Sequence, residues 1–397
     1  MQPWQYIFLI SCGIVFYNYA GYALMAWLFT KLAGKYPFRP IPPDRPPGVT
    51  FIVAAYNEAD WIEEKLRNSL ELNYPAEAIE FLFVTDGSTD ETPAIVSRHP
   101  RVRLLHEPAR KGKAAAMNRA VQTATYDILI FSDANTTLNK DAIGNIVRHY
   151  ADPKTGGVAG EKKVLDTPTA GATTGPGGGE GLYWKYESRL KHIDSDFYSV
   201  VGAAGELFSL RRNLFEPMPE NTILDDFVLS LKVADKGFRI LYEPDAFAWE
   251  TPSFSLREEQ KRKIRIAAGG FQSIAMLLPL LAFWRHPRLS YLYISHRVLR
   301  WAISPFCLIL ALVSSAFSLA APTGSFYQLC FAAQLLFYGL AALYTLHLPG
   351  TRINKICRIP YYFTFMNVSV ILGFIRFCKG RQSGVWEKAK RAQAVPD

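Results

Sequence analysis

Residues 127–135 read DILIFSDAN, an apolar run that ends abruptly in small and acidic residues. Such a run is typical of a buried parallel strand in an open α/β sheet, where ligands bind beyond the carboxyl ends of the strands. Asp133 and Asn135 would then face the same way, two residues apart. Hard oxygen ligands on one side suit Mg²⁺ or Mn²⁺ held against a nucleotide diphosphate. The alternative interpretation is that one of the two residues caps the start of a helix.

The composition of the 397-residue chain indicates a membrane protein. Hydrophobic residues make up 49% of the chain, and the mean hydropathy is +0.04 although 79 residues are charged. Ile7 to Leu32 is almost uninterrupted apolar and aromatic sequence, long enough to cross a bilayer, and it predicts an uncleaved anchor. The net charge of +9 comes from Lys and Arg gathered beside apolar segments, which favours a membrane surface over nucleic acid. The five cysteines lie in or beside those segments without paired spacing, so neither a disulfide framework nor a metal site is predicted from them.

Strand and helix patterns alternate after a proline-rich linker. The predicted strands are Val49 to Ala54, Phe81 to Thr85, Val102 to Leu105 and Asp127 to Phe131, and the predicted helices are Trp61 to Leu72 and Lys113 to Thr123. Alternation with short connections predicts a right-handed, parallel α/β sheet.

Three further stretches carry polar or small residues. Thr167 to Gly181 is rich in Gly, Thr and Pro and is interpreted as a mobile loop rather than a phosphate cradle, because it has no G-x-G-x-x-G register. Gly202 to Glu206 is small-residue sequence that suits close approach of the backbone to a bulky ligand. Asp225 and Asp226 begin an amphipathic helix, where adjacent carboxylates are commonly caps that favour the helix dipole.

Together, these stretches resemble the membrane-bound family 2 inverting glycosyltransferases, the group of the cellulose, chitin, hyaluronan and poly-N-acetylglucosamine synthases. The resemblance runs in order from Val49 to about Gly269. It implies an α/β GT-A-like (Rossmann-like, mostly parallel sheet) catalytic domain with N- and C-terminal transmembrane helices. The implied divisions are an anchor (1–36), a proline-rich linker (37–48), the glycosyltransferase domain (49–255), interfacial amphipathic helices (256–290), C-terminal transmembrane helices (291–378) and a basic tail (379–397).

The resemblance also implies roles for individual residues. The expected donor-binding residues are Ala55, Tyr56, Asn57 and Glu58 at the base, Asp86 at the uridine and Lys113 near the phosphates. Asp133 and Asn135 match the metal-binding D-x-D element, for Mg²⁺ or Mn²⁺. The expected acceptor-side and catalytic residues are Gly205 and Glu206 in the acceptor loop, Asp225 and Asp226 in the T-E-D motif, with Asp226 as the base, and Arg262 and Arg265 in the Q-x-x-R-W segment.

The chemistry requires these residue types. The charge that grows on a nucleoside diphosphate leaving group is stabilised by a metal ion and by nearby cations, here Lys113 and Arg265. One carboxylate, Asp226, suffices to remove the proton from the attacking acceptor hydroxyl, and a single base with direct displacement predicts inversion.

The sequence departs from the family pattern in three places. Asn135 replaces an acid at the second metal position, so weaker metal binding is expected, and Asp225 is one methylene shorter than the family's glutamate. Arg262 and Ile266 replace the glutamine and tryptophan of Q-x-x-R-W. Because that tryptophan is the aromatic platform of processive synthases, processive synthesis is in doubt, although Tyr183, Trp184 or Trp249 offers a stacking face or simply packs in the core.

The C-terminal third predicts further membrane segments. Phe271 to Trp284 suits an interfacial amphipathic helix, and Trp301 to Ala321 with Phe326 to Leu346 suits a helical hairpin. Pro360 to Phe377 either crosses the membrane, which we favour, or is re-entrant or interfacial. Arg297 and Arg300 are interpreted as binding lipid headgroups, with a lipid-linked pyrophosphate or an emerging glycan as the alternative.

The resulting hypothesis is a metal-dependent inverting transferase in cell-surface polysaccharide synthesis. It predicts a multi-pass protein of the bacterial inner membrane with a cytoplasmic catalytic domain. The expected partners are a UDP-sugar, a growing glycan or lipid-linked acceptor, membrane lipid, and either a second copy or other export subunits, but no nucleic acid. The alternatives are a single-addition transferase acting on a membrane lipid, a non-catalytic nucleotide-sugar-binding subunit and a transporter.

Overall fold

The computed structural model describes residues 2–34, 45–164, 177–251, 255–319, 325–345, 352–380 and 384. The amino-terminal segment consists of helix α1 (Pro3–Phe16), a π-helical turn (Tyr17–Gly21) and helix α2 (Tyr22–Ala33). Together they form the first of four candidate membrane spans, Pro3–Leu32, by length and apolar composition.

One mixed sheet of eight strands forms the centre of the α/β domain. Its strands are β1 (Val49–Ala55), β2 (Ile79–Asp86), β3 (Val102–Glu107), β4 (Ile128–Asp133), β5 (Thr136–Leu138), β6 (Thr155–Val164), β7 (Phe208–Arg211) and β8 (Arg239–Glu250). Their spatial order is β3-β2-β1-β4-β7-β6-β8-β5. β1 pairs in parallel with β2 and β4, β2 with β3 and β6 with β8, whereas β7 is antiparallel to both neighbours and β5 is antiparallel to β8.

The helices of the domain cover both faces of this sheet. They are α3 (Ala59–Leu70), α4 (Thr92–Ser97), α5 (Lys113–Thr123), α6 (Ala142–Val147), α7 (Gly177–Phe197) and α8 (Asp225–Asp235), with short 3₁₀ turns at Ala76–Ala78, Arg148–Ala151 and Arg212–Leu214. Every residue of β1 is buried, and alternate side chains enter the two hydrophobic clusters on opposite faces. The predicted GT-A-like fold class is therefore confirmed, and α5 has the predicted bounds.

The chain crosses over between β1 and β4, which places their carboxyl ends at a topological switch point. The strand that precedes β4 in sequence, β3, lies beyond β2 on the other side of β1. In α/β sheets the crevice at such a point is where ligands bind. Asp133 is the last residue of β4 and pairs with Ala54 near the end of β1. The stretch at residues 127–135 therefore ends in this crevice.

One alternative interpretation and part of one prediction about local structure are wrong. Asp133 and Asn135 do not cap a helix, because the chain continues directly into strand β5 at Thr136. The predicted loop of residues 167–181 falls partly outside the described residues, as does most of the linker at 37–48, but α7 begins at Gly177, inside that predicted loop. The tyrosines and the tryptophan that follow supply the helical segment that overrides the glycine composition there.

The C-terminal part begins with α9 (Leu256–Met276) and a 3₁₀ turn (Leu278–Leu281). It continues with α10 (Pro287–Tyr293), a π-helical segment (Ile294–Ile303), α11 (Ser304–Ser318), α12 (Ser325–Tyr344) and α13 (Arg352–Cys378). The three further candidate spans are Pro287–Ser318, Ser325–Tyr344 and Ile356–Cys378, so the predicted N- and C-terminal apolar helices are present. The connection between the two helices of the predicted hairpin, at residues 322–324, and nearly all of the basic tail lie outside the described residues.

The second span starts earlier than predicted, and this changes the environment of two arginines. Since the span begins at Pro287 rather than at Trp301, Arg297 and Arg300 lie inside the helix. Both form ion pairs with Glu187 of α7 instead of reaching lipid headgroups. The interpretation of these residues as headgroup ligands is therefore wrong. The predicted helix from Phe271 to Trp284 is also wrong, because α9 ends at Met276.

Candidate functional site

Four charged side chains converge at the carboxyl ends of β1 and β4. Lys113, the first residue of α5, places its Nζ 2.8 Å from Asp133 Oδ1 and 3.7 Å from Asp225 Oδ2. Asp225 is buried, and its Oδ2 has no hydrogen-bond partner among the described residues. Asp226 is half-buried beside it. The structure thus brings together three predicted carboxylates and one predicted cation.

Gly205 closes this cluster from the acceptor-side loop. A Cβ atom built on it would lie 2.9 Å from Lys113 Nζ and 3.4 Å from Oδ2 of both Asp133 and Asp226. A side chain would therefore press on the end of the lysine, so glycine lets the backbone approach without displacing the ammonium group. Together with Lys113, Gly205 also lines a small pocket between β1, β4 and α5.

The close packing of these charges shifts their pKa values. Burial raises the pKa of Asp226 to about 7, and the negative charge of Asp225 adds to the rise while Lys113 opposes it. Burial likewise raises the pKa of Asp225, with Lys113 and Arg265 acting against the rise. Although burial alone favours a neutral amine, the charges of Asp133, Asp225 and Asp226 raise the pKa of Lys113. A carboxylate with a pKa near neutrality is matched to general base chemistry.

Asp226 also serves the start of α8, so the two interpretations of this residue coexist. Its Oδ1 accepts a hydrogen bond of 2.8 Å from the amide of Phe227, which satisfies a free donor in the first turn of the helix. Its Oδ2 faces Gly205 and the cluster. The helix start fixes the carboxylate, while one oxygen remains directed at the crevice.

Asp86 lies at the end of β2 but is turned into the protein. Its Oδ2 accepts hydrogen bonds from the amides of Lys111 and Gly112 at 2.9 and 2.6 Å, and its Oδ1 accepts one from Arg119 Nη2 at 2.9 Å. Asp86 is also buried. In this structure the residue holds the loop that leads into Lys113, an arrangement distinct from the direct uridine contact implied by the resemblance.

The four residues from Ala55, the last residue of β1, to Glu58 are divided between the core and the crevice. Ala55 is buried, and Asn57, with a φ of 52°, bonds through its side chain to Thr89. The Glu58 amide donates to Thr92 Oγ1. Tyr56 stacks against Arg110, whose guanidinium lies 3.7 Å from the ring centroid. Tyr56 and Arg110 therefore form a stacked pair next to the carboxyl end of β1.

The two predicted arginines of the Q-x-x-R-W segment on α9, Arg262 and Arg265, have different partners. Arg265 is near enough to Asp225 for its charge to act on that carboxylate. Arg262 instead binds Glu259 with two hydrogen bonds of 3.0 and 3.1 Å and lies 3.8 Å from Glu250. Glu206 also acts electrostatically on Asp226, while its Oε1 accepts a hydrogen bond of 2.6 Å from Lys162. Arg265 and Glu206 therefore belong to the carboxylate cluster, and Arg262 belongs to the network beside it.

The oxygen donors fit a divalent ion only with the help of a donor substrate. Asp133 and Asn135 offer hard oxygen ligands from one edge of the sheet, as Mg²⁺ and Mn²⁺ prefer. The described residues contain no group of three or more His, Cys, Asp or Glu side chains that could hold a metal ion. Two protein ligands with phosphate oxygens and water completing the shell is the usual arrangement for a metal-nucleotide site.

Sequence patterns do not reveal Lys65, a buried cation that contacts the chain on both sides of Asp133. Lys65 of α3 is fully buried and donates to Ser132 Oγ at 2.7 Å and to the Thr136 carbonyl at 2.9 Å. Burial lowers its pKa to about 7, with the negative charge of Asp133 acting in the opposite direction. Lys65 occupies an apolar helix position in the sequence, and nothing local indicates its partners about seventy residues away. The basic residues Arg110 and Lys111, by contrast, are visible in the sequence just before Lys113, but they were not among the predicted site residues.

Comparison with protein families identifies a domain that carries Lys113, Asp133 and Gly205 of this site, while Asp225 and Asp226 follow it in the chain. The model described as glycosyl transferase family 2 matches residues 50–218, which contain β1 to β4, Lys113, Asp133 and the acceptor-side loop. Residues 50–218 are a family 2 glycosyltransferase domain. The recognition of this family from its motifs is thereby confirmed.

Relatives extend the comparison. A poly-beta-1,6-N-acetyl-D-glucosamine synthase of Staphylococcus aureus (strain MSSA476) is 28% identical over 237 residues, 57% of this chain and 55% of the relative. The corresponding synthase of Staphylococcus epidermidis is 25% identical over 248 residues, 60% of this chain and 57% of the relative. The chain spans about half the length of the curated relatives it matches.

A solved structure matches almost the whole chain. It is a mannosyltransferase from Pyrobaculum calidifontis in complex with GDP-mannose and Mn²⁺. The match has a TM-score of 0.71 and 27% identity, and it covers 95% of this chain and 100% of that one. The similarity therefore includes the apolar helices as well as the sheet.

Proposed function

We propose that this protein is a metal-dependent inverting glycosyltransferase that transfers a sugar from a nucleotide sugar, with a UDP-sugar as the first candidate, to a growing polysaccharide or lipid-linked acceptor. The observation that carries the proposal is the convergence of Lys113, Asp133 and Asp226 on Gly205 at the switch point of the sheet. A site with one base, one cation and one oxygen ligand for a metal has the groups that this transfer requires.

Asp226 is the general base in this proposal. Its Oδ2 faces the crevice, and its pKa of about 7 leaves a large fraction ionised near neutral pH while keeping the carboxylate basic enough to accept a proton. An acceptor hydroxyl that enters beside Gly205 would transfer its proton to this oxygen as it attacks the anomeric carbon from the face opposite the leaving group. Direct attack with a single base inverts the configuration.

Lys113, Asp133 and Asn135 serve the leaving group. A bound Mg²⁺ or Mn²⁺, held by Asp133 and Asn135 together with the diphosphate, would stabilise the charge that develops on the departing nucleotide. Lys113 pairs with Asp133 in the structure, and its ammonium group is within reach of phosphate oxygens in the same crevice. Arg265 adds positive charge beside Asp225. Asn135 carries no charge, so the metal depends on the diphosphate for much of its affinity.

The base pocket is built around Tyr56 and Arg110. Stacking of an arginine on a tyrosine leaves a flat, cationic surface that suits a nucleobase and its neighbouring phosphates. Asp86 supports this surface by holding the backbone at Lys111 and Gly112. Neither feature selects uracil over guanine, and the mannosyltransferase neighbour is bound to GDP-mannose, so GDP-mannose is the second donor to test.

We place the protein in the cell membrane with the catalytic domain on the cytoplasmic side, where nucleotide sugars occur. Four candidate spans and the basic residues at their ends support a multi-pass arrangement. Leu278, Phe283 and Trp284 are large hydrophobic residues that lie outside the spans and are exposed. They follow α9 and precede the second span, so this turn is placed at the membrane interface.

A donor screen on protein in nanodiscs tests the proposed function. Nucleoside diphosphate release is measured with UDP-glucose, UDP-N-acetylglucosamine and GDP-mannose, with Mn²⁺, Mg²⁺ or EDTA, and any product is sized. Metal-dependent release with one donor, lost in Asp226→Asn, is the expected result. The absence of release with every donor, with and without membrane lipid extract as acceptor, would refute the proposal.

A single-addition transferase acting on a membrane lipid is the second candidate. One observation favours it: Arg262, bound by Glu259, stands where processive family members have the first residue of Q-x-x-R-W. Product size separates the candidates. A long product supports polymer synthesis, and one sugar added to a lipid supports single addition.

A further inference from the structure

The second membrane span contacts the acceptor side of the site through its π-helical segment, Ile294–Ile303. This segment lies within the span Pro287–Ser318. A π-helix widens the backbone spiral, is rare, and occurs frequently at functional sites. Here the segment turns charged and aromatic side chains toward α7 and toward the loop that precedes β7.

Arg297 bridges two parts of the catalytic domain from this segment. Its Nε donates a hydrogen bond of 3.2 Å to the Val201 carbonyl, and its Nη1 lies 3.1 Å from Glu187 Oε2 on α7. Its side chain is 12% exposed. A planar guanidinium can satisfy both partners at once in a fixed geometry, which a lysine ammonium does less well.

Other buried charges hold Glu187 in place for this contact. Arg300 pairs with its second oxygen, and the ring of His296 lies between Glu187 at 3.4 Å and Asp194 at 2.6 Å. Glu187 and His296 are both buried. Buried charges require such partners, because removing one of them leaves the others uncompensated. Arg297 differs from the other residues of this cluster because it also bonds to the loop.

The carbonyl that Arg297 holds begins the acceptor-side loop. The next residue, Gly202, has a φ of +87°, and a Cβ on it would lie 2.1 Å from the Phe227 ring. Phe227 follows Asp226 and packs against Trp301 of the π-helical segment, with the ring centroids 5.2 Å apart. The same loop then brings Gly205 against Asp226. The span therefore supports the loop at its first residue and supports the helix start that presents the carboxylate.

We propose that Arg297 is a positioning residue for sugar transfer: it fixes the acceptor-side loop, residues 201–206, relative to Asp226 and thereby couples the second membrane span to the catalytic step. This inference rests on the proposed function of the same site. It assigns Arg297 no contact with substrate. Its effect passes through the Val201 carbonyl to the loop, and misplacement of reacting groups by about 1 Å can cost ~100-fold in rate.

The test compares Arg297→Gln and Arg297→Lys with Arg300→Gln in nanodiscs. Arg300 shares Glu187 with Arg297. Among the described residues, its other contacts are with Asn18, Tyr186 and the Tyr19 ring rather than with the loop. The readouts are kcat and donor KM from nucleotide release, nucleotide Kd, and the thermal midpoint.

Arg297→Gln is expected to lower kcat by about 10- to 100-fold with donor KM and nucleotide Kd unchanged, because the donor half of the crevice lies on β1, β4 and α5. Arg297→Lys keeps the charge beside Glu187 and should recover the thermal midpoint while recovering kcat only in part. Arg300→Gln should lower the thermal midpoint at least as much as Arg297→Gln while changing kcat far less.

Three results would overturn the inference. They are an unchanged kcat in Arg297→Gln, equal losses of kcat in the Arg297 and Arg300 variants, and a loss of nucleotide binding in parallel with kcat. If Arg297→Gln does not fold, Arg297→Lys decides, since full kcat in that variant contradicts the need for a two-pronged contact. A wild-type protein that turns over no donor refutes the proposed function instead, so the two failures are distinguishable.

Discussion

Replacement of Asp226 by asparagine separates its role as a base from its role at the start of α8. Asparagine keeps the side-chain oxygen that accepts from the Phe227 amide, so the helix start should be preserved. It removes the basic oxygen that faces Gly205. General bases contribute about 100- to 10,000-fold to rate, so kcat should fall by at least ~100-fold while UDP or GDP binding stays within about threefold of wild type.

The same substitution should stabilise the protein at alkaline pH. The pKa of Asp226 rises from an ordinary value of 3.8 to about 7 on folding, chiefly through burial. A carboxyl whose folded pKa is raised costs stability increasingly as pH rises from its unfolded pKa to its folded pKa, and the cost is constant above that. The full difference corresponds to about 4 kcal/mol, and because the group is only half-buried we expect ~2 kcal/mol.

Two assays check this pair of expectations. Nucleotide release gives kcat, and thermal unfolding in nanodiscs at about pH 5 and about pH 8 gives the stability difference, which should favour Asp226→Asn more at the higher pH. Asp235→Asn is the matched control, because Asp235 is at the other end of the same helix and lies 3.4 Å from His286. Loss of nucleotide binding in Asp226→Asn, or retention of most of its transfer rate, would refute the assignment of the base.

Three further predictions concern the metal ligand, the glycine and the membrane interface. Asp133→Ala should weaken metal-dependent nucleotide binding by about 10- to 100-fold in calorimetry, whereas Asp127→Ala at the exposed, opposite end of β4 should not; an unchanged metal requirement in Asp133→Ala would contradict its role. Gly205→Ala should lower kcat by about tenfold without lowering the thermal midpoint, because the new methyl group displaces only the flexible end of Lys113; wild-type kcat would show that the approach is not needed. Brominated lipids should quench the fluorescence of Trp284, which is 86% exposed, so the quenching lost in Trp284→Phe should be large; equal quenching in both proteins would place the turn outside the membrane.

Local sequence was sufficient to predict an element where its residues are continuously buried and contact residues that are near in the chain. β1 is buried along its whole length, and α5 combines a lysine at its start with alanines that contact the sheet, so apolar patterning and helix propensity gave both elements. Strand β6 was missed because its sequence contains three glycines. The structure shows why they are there: a Cβ on Gly157 would lie 2.5 Å from the Ser209 carbonyl, and one on Gly160 would lie 2.7 Å from the Ala246 carbonyl. Close backbone approach outweighs strand propensity at these positions.

Long-range partners account for what the sequence could not predict. Arg297 reads as a membrane-flanking cation because its acid, Glu187, is 110 residues away in the chain. Lys65 likewise has its partners, Ser132 and Thr136, about seventy residues away, so nothing in the local sequence shows how this cation is satisfied. The motif resemblance assigned residue types to the site, but only the fold shows that Asp86 is turned inward and that Arg262 is occupied by Glu259.

The stereochemistry of transfer tests the central claim most directly. With an α-linked nucleotide sugar, Mn²⁺ and the acceptor found in the donor screen, proton NMR of the product reports the configuration of the new linkage. One base at Asp226 and direct attack predict a β-linked product that disappears in Asp226→Asn. An α-linked product would contradict the account, because retention requires either a second nucleophilic group or a front-face attack that this arrangement of Asp226 does not provide.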